Sequence, residues 1–245
     1  MSTLTLNEQT AQGMHGTAYA RDGRVQIRDI LTSDSADWTF ELLSTFREWN
    51  LAFTVGGEHK EVSLRAFERW PAAKRRKLTR LIHADALIGF QYLYAAAPIY
   101  EIFHGQLLPG HGFNAVYEFL NSPALLSFVA KVTGRSDIGF ADCRATRFDA
   151  NHFLTGHDDA VEGKRRRVAY VLNLTPVWRV DWGGILQFID ADGNVAAGYT
   201  PSFNTLNLFR VPSVHSVSSV AAFAAASRYS ITGWFRAGDD PGPTR

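Results

Sequence analysis

The stretch Phe153-Leu154-Thr155-Gly156-His157-Asp158-Asp159 decides how this chain is read. An apolar, strand-like start runs into an H-x-D triplet. Alternate residues of an extended segment point the same way, so His157 and Asp159 share one face and Asp158 points away. A lone histidine far downstream, His215, placed on a second strand, completes a face of two imidazoles and one carboxylate. Such a face leaves positions open on a metal and suits a non-haem Fe(II) that binds and activates O2. The triplet alone is a weak signal, because a surface turn carries the same residues.

Working outward, the strand character continues on both sides. Residues 144–148, 168–174, 184–188, 205–209 and 228–235 are short, rich in β-branched and aromatic side chains, and separated by turn signals. Asp190-Ala191-Asp192-Gly193-Asn194 reads as a hairpin turn within that series. Upstream of about residue 138 the periodicity is helical. Leu42, Leu43, Phe46 and Trp49 form one stripe after Ser33 and Ser35, and Pro71 opens a second segment through Leu78, Leu81, Ile82 and Leu87. Ser122-Pro123 to Gly134 is a third helix, with Ser122 as N-cap, Pro123 as first residue and Gly134 as stop.

Helices followed by strands predict an α+β fold: a double-stranded β-helix, or jelly-roll, with the N-terminal helices packed on one sheet. The expected organisation is a flexible tail over 1–20 and one domain over 21–237, helical at about 30–135 and jelly-roll at about 138–237. A second tail covers 238–245. The metal candidates all fall in the strand half, where a jelly-roll holds ligands between its sheets.

Composition narrows the function classes. The chain has 245 residues, 46% hydrophobic and 20% charged, enough for a sizeable core. A formal net charge of +1 argues against nucleic acid or another polyanion as partner. A single cysteine, Cys143, precludes an intramolecular disulfide, and a reducing cytoplasm is the expected compartment. No run of 18 uncharged apolar residues suggests a membrane span, and the N-terminus does not read as a signal peptide.

Four stretches together resemble the Fe(II)- and 2-oxoglutarate-dependent oxygenases, in their prolyl-hydroxylase-like branch. They are Arg147-Phe148 through Asp159; Val168-Ala169-Tyr170-Val171-Leu172-Asn173 with Trp178 and Gly183-Gly184-Ile185-Leu186; Pro212-Ser213-Val214-His215-Ser216-Val217; and Arg228-Tyr229-Ser230-Ile231-Thr232-Gly233-Trp234-Phe235. The resemblance covers 144–236 in order, and the helix at 120–134 resembles one that precedes the barrel in ribosomal-protein prolyl hydroxylases. It implies Fe(II) on His157, Asp159 and His215, with 2-oxoglutarate and O2 as cosubstrates and ascorbate as an accessory reductant. It also implies hydroxylation coupled to decarboxylation of the cosubstrate to succinate.

Arg228 is implied as the group that holds the far carboxylate of 2-oxoglutarate, a task a guanidinium performs bidentately. Thr232, Val217, Trp234, Ala169 and Phe148 are implied as pocket neighbours, although core packing explains the apolar ones equally well. A carboxylate at 159 implies hydroxylation rather than halogenation. The chain departs from the family where Phe148 and Val171 stand in place of tyrosines, with Tyr170 facing the other way. An alanine-rich insert over 221–226 lengthens the interval from His215 to Arg228 and is expected to be a loop or a short turn.

The basic run Lys164-Arg165-Arg166-Arg167 follows the H-x-D strand, so Arg165, Arg166 and Arg167 are candidates for substrate contact or simply a charged loop tip. The other run, Lys74-Arg75-Arg76-Lys77 with Arg80, reads as a solvated helix face. The remaining histidines show no ligand spacing. The Gly56-Gly57 pair lacks a phosphate-cradling context. The leading substrate is a prolyl residue of a protein. A free amino acid or small metabolite is the alternative, as is a non-catalytic cupin-like module binding a metal or ligand, or a cupin-type hydrolase or isomerase using the same ligands. Oligomeric state is left open.

Overall fold

A computed structural model describes residues 4–242. The helices are α1 (Glu8–Ala11), α2 (Gly16–Asp22), α3 (Ser33–Thr45), α4 (Leu64–Glu68), α5 (Ala72–Ala86), α6 (Ile99–His104), α7 (Gly112–Leu120) and α8 (Pro123–Thr133). The strands are β1 (Arg24–Arg28), β2 (Asn50–Val55), β3 (Glu58–Ser63), β4 (Tyr92–Ala97), β5 (Ile138–Ala141), β6 (Arg144–Phe148) and β7 (Phe153–His157). They continue with β8 (Arg166–Asn173), β9 (Leu186–Ile189), β10 (Val195–Tyr199), β11 (Thr205–Arg210), β12 (His215–Val217) and β13 (Arg228–Ala237).

The strands pair antiparallel in the order β1-β11-β8-β13-β6-β4-β7-β12-β9-β10, with β5 on β13 and the β2–β3 hairpin on β4. The five strands from β1 to β6 make one layer, and the four from β7 to β10 make the other. β4 bridges them by pairing with both β6 and β7. This is the expected double-stranded β-helix.

β8 shows why the layers hold. Its outward residues Val168, Tyr170 and Leu172 join the large core beneath the helices, while Ala169 and Val171 pack inward with Leu186, Phe188 and Phe209. A strand covered on both faces reads as a nearly continuous apolar run, and this one does. The α8 caps follow the sequence reading: the Ser122 hydroxyl accepts from Leu125 N–H, Pro123 opens the helix, and Gly134 takes the left-handed conformation (φ 69). The 221–226 insert is an irregular loop with one turn.

Three expectations are corrected. The sheet is not confined to 138–237, because β1 to β4 come from the half read as helical. Tyr92-Leu93-Tyr94-Ala95-Ala96-Ala97 hid its strand character because alanine is a strong helix former, and tertiary pairing on both edges overrides that preference. Gly56 and Gly57 form the hairpin turn between β2 and β3, with φ of 59° and 81°, values that two-residue hairpins require. Nor is 1–20 a free tail over its described part. Leu4 is buried, Leu6 bridges to Leu31, and Tyr19 of α2 lies in the core. The apolar anchors are too sparse among polar neighbours to be seen in sequence.

The C-terminal segment is also anchored. Asp240 accepts hydrogen bonds from Tyr100 on Oδ1 and from Tyr117 on Oδ2, and His104 Nε2 lies 3.0 Å from Oδ2 as well. Residues 1–3 and 243–245, assigned to the two tails, lie outside the described residues. Among the described residues no helix is long and apolar enough to cross a membrane.

Candidate metal centre and its cavity

His157 closes β7 and His215 opens β12, and the register sets these histidines directly opposite each other. Their ring centres are 4.2 Å apart. Each Nδ1 lies against a backbone carbonyl two residues earlier, Thr155 at 3.0 Å and Ser213 at 2.7 Å. A carbonyl only accepts, so each Nδ1 carries a proton and each Nε2 is turned toward the Asp159 carboxylate.

The expected strand alternation stops at His157. Asp159 sits two residues past the end of β7 in the left-handed region (φ 65), which aspartate enters more readily than most residues. That turn, rather than a strand face, brings its carboxylate back. Asp159 Oδ1 lies 3.3 Å from His157 Nε2 and Oδ2 lies 3.4 Å from His215 Nε2. One ligand atom from each residue falls within 4.8 Å of the others. Burial pushes the Asp159 carboxyl up, but the His157 hydrogen bond and the charges of His215 and His157 outweigh it, leaving the group below its usual value. Burial holds His215 down, toward the neutral form that ligates metal. Two imidazoles with anchored Nδ1 atoms and one carboxylate fit a divalent ion of the Fe(II) type.

These side chains open into a cavity of about 480 Å³ between the two layers. Arg228, Thr232, Val217, Trp234, Ala169 and Phe148, proposed from the sequence, all line it. On β13 the residues Arg228, Ser230, Thr232 and Trp234 alternate inward, opposite Phe148, Thr146 and Arg144 of β6. Arg228 is 1% exposed. Among the described residues its one hydrogen bond runs from Nη2 to Asn173 Oδ1 at 3.3 Å and its Nε has no partner, while its guanidinium lies 5.2 Å from the Phe148 ring centre. Burial lowers its pKa to about 10. A buried, unpaired cation costs several kcal/mol, so the site is built to receive an anion.

The basic run divides. Arg166 lines the cavity, whereas Arg167 pairs outside it with Asp137 at 2.6 Å. Arg165 is exposed, and its guanidinium packs over Gly238. Those two are corrected as cavity residues, because successive residues of an extended segment face opposite sides. Tyr170 does face away, its hydroxyl donating to the Asp142 carbonyl, and Val171 faces in.

Several cavity residues were not found from the sequence. Tyr92 and Tyr94 of β4 line it, Tyr94 stacking on Phe148 with ring centres 5.1 Å apart. Their Tyr-x-Tyr spacing is a strand signal, masked by the alanines that follow. His59, Phe90 and Arg144 also contribute. Gln91, fully buried, ties β2 to β7: its side chain exchanges hydrogen bonds with Thr54, its N–H donates to Thr155 Oγ1, and its carbonyl accepts from Thr155 N–H. Thr155 in turn supplies the carbonyl that orients His157.

The described residues thus set two histidines and an aspartate beside a buried arginine inside a jelly-roll. Comparison with known proteins finds the following similarities. Residues 143–236 match the model described as 2OG-Fe(II) oxygenase superfamily. A relative from Mus musculus, prolyl 3-hydroxylase OGFOD1, is 35% identical over 116 residues, 44% of this chain and 21% of that protein. The chain thus spans about a fifth of that relative's length. Among solved structures, a Pseudomonas putida prolyl-4-hydroxylase superposes with a TM-score of 0.57 at 19% identity, covering 91% of this chain and 97% of that one. A Burkholderia pseudomallei oxidoreductase of the 2OG-Fe(II) oxygenase family gives 0.61 at 14% identity, covering 99% and 100%. These two show the fold. The match over residues 143–236 is thus to the 2OG-Fe(II) oxygenase superfamily, and the chain is similar to prolyl hydroxylases.

Proposed function

We propose that the protein is an Fe(II)- and 2-oxoglutarate-dependent dioxygenase that hydroxylates a C–H bond of a prolyl residue in a protein. The observation that carries the reading is Arg228, a buried guanidinium with no carboxylate partner among the described residues, in the cavity that also holds His157, Asp159 and His215. In this reading the three ligands hold Fe(II), and Arg228 holds the far carboxylate of 2-oxoglutarate, with Thr232 further along the same face of β13. Fe(II), 2-oxoglutarate and O2 supply the oxidising power when bound, with ascorbate as accessory reductant.

The chain's own part is positioning. The Thr155 and Ser213 carbonyls fix both imidazole tautomers, and the Gln91 network holds β7 in place. Val217, Ala169, Phe148 and Trp234 keep the cavity wall apolar, limiting water around the reacting centre. The prolyl substrate follows the relatives named above. The activity is placed in the cytoplasm, a setting suited to a chain whose one cysteine is unpaired and buried.

The test is an anaerobic titration of metal-free protein with Fe(II) and then 2-oxoglutarate, followed in the visible region. A charge-transfer band is expected, and proline-containing peptides should then gain one oxygen in the presence of O2. Iron uptake without a band would overturn the cosubstrate assignment.

A further inference from the structure

Arg228 is not the only cation of the cavity short of an acid. Arg144 and Arg166 line the same space, and the lining carboxylates are Asp158 and Asp159 alone. Asp159 is committed to the metal in the reading above, and Asp158 is exposed, accepting a hydrogen bond from Ala160 N–H. Neither Arg144 nor Arg166 forms an ion pair among the described residues. Arg166 is held flat, its guanidinium 3.4 Å from the Trp234 ring centre and Nη1 donating to the Asp159 carbonyl at 2.9 Å. Its Nε is buried without a partner. Arg144 donates from Nη1 to the Tyr94 hydroxyl at 3.3 Å. Burial pushes the Arg166 guanidinium below its ordinary value, and Arg144 is among the cations that add to this.

These groups are separate from the Arg228 end. Arg228 stands opposite Phe148 and Thr232 opposite Arg144, so the two arginines are rooted four residues apart along the strand pair, about 13 Å. Tyr94, hydrogen-bonded to Arg144, stacks on Phe148, against which Arg228 lies. Arg166, by contrast, touches the backbone of a metal ligand.

We propose that Arg144 and Arg166 form a second anion subsite, on the metal side of the cavity, that reads a carboxylate carried by the substrate itself. This rests on the dioxygenase reading and names its substrate class. The carboxylate has two sources: an acidic side chain next to the target residue of a peptide, or the α-carboxylate of a free amino acid. Two guanidiniums, one stacked and one hydrogen-bonded to a tyrosine, present fixed N–H edges to such a group.

The test measures binding by tryptophan fluorescence, on metal-free protein and on the anaerobic protein with Fe(II) and 2-oxoglutarate. The probes are N-acetylated, C-amidated proline pentapeptides with Glu or Gln beside the proline, and free proline against prolinamide. At least one acid is expected to bind about tenfold or more tighter than its amide, since hydrogen bonds to charged groups exceed neutral ones by this order. Preference for Glu peptides assigns a peptide source, and preference for proline over prolinamide assigns the free amino acid. Arg144→Met should collapse the preference to about twofold or less, and Arg144→Lys should restore part of it by keeping the charge. Acid and amide members that bind alike, or not at all, overturn the proposal, as does a preference that survives in Arg144→Met and Arg166→Met. A preference without a charge-transfer band in the unaltered protein sinks the dioxygenase reading and leaves the subsite standing. A normal band with no preference does the reverse.

Discussion

The two faces of β8 and β13 are built from the same strands and serve opposite ends. Outward, Val168, Tyr170, Leu172, Ile231 and Phe235 are almost wholly buried against the helices. Inward, Asn173, Arg228, Ser230 and Thr232 place polar and charged groups in the barrel, with Arg228 Nε left without a partner. The outer face lowers the free energy of the fold, while the inner face spends part of it on groups poised for a ligand. The side chain's parity along the strand decides which role it has.

The comparison can be broken in several ways, taken from the largest effect down. Asp159→Ala should abolish 2-oxoglutarate turnover, measured as succinate release; substantial residual turnover would remove Asp159 from the ligand set. Phe235→Ala, on the outer face, should cost about 3–5 kcal/mol of unfolding free energy in denaturant titrations, as large buried aromatics do. A loss under about 1 kcal/mol would mean that the outer layer is not the core it resembles.

On the inner face, Arg228→Met should weaken 2-oxoglutarate binding by about 1.5–3 kcal/mol, the usual weight of a charge-assisted contact. It should also raise the Tm of the ligand-free protein, because an unpaired buried charge is removed. A lower Tm would show that the guanidinium is anchored by the fold, and the contrast between faces would fail there.

The smallest effect concerns pH. Burial pushes the Asp149 carboxyl up, but hydrogen bonds from Arg147, at 2.8 and 2.7 Å, and from Ser227 outweigh it and leave it below the ordinary 3.8. A depressed carboxyl contributes stability that is present above the ordinary value and lost as pH falls through the lowered one. Asp149→Asn should therefore cost about 1–2 kcal/mol at pH 7 and progressively less as the pH falls below the ordinary carboxylate range, measured by urea unfolding across that range.

His157, Asp159, His215 and Arg228 were legible in the sequence because each sits in a short segment whose neighbours carry strand periodicity. What was not legible came through pairing between distant segments. Tyr92, Tyr94 and Gln91 reach the cavity because β4 pairs with both β6 and β7, and no local pattern announces a bridging strand made largely of tyrosine and alanine. Arg144 was on a recognised strand, but its inward direction depends on its pairing with Thr232. Asp159 meets the two histidines by a different geometry from the one expected, since its left-handed backbone replaces the assumed strand alternation. Of three successive arginines only Arg166 turns inward, a choice that register makes and composition does not.

The direct pairing of His157 with His215 has a consequence for assembly of the fold. A slip of one residue between β7 and β12 would turn one imidazole away from the other. The ligand set can exist only in the correctly paired chain, so metal uptake during refolding would report strand alignment. In that sense the centre acts as a proofreader of the barrel as well as its working part.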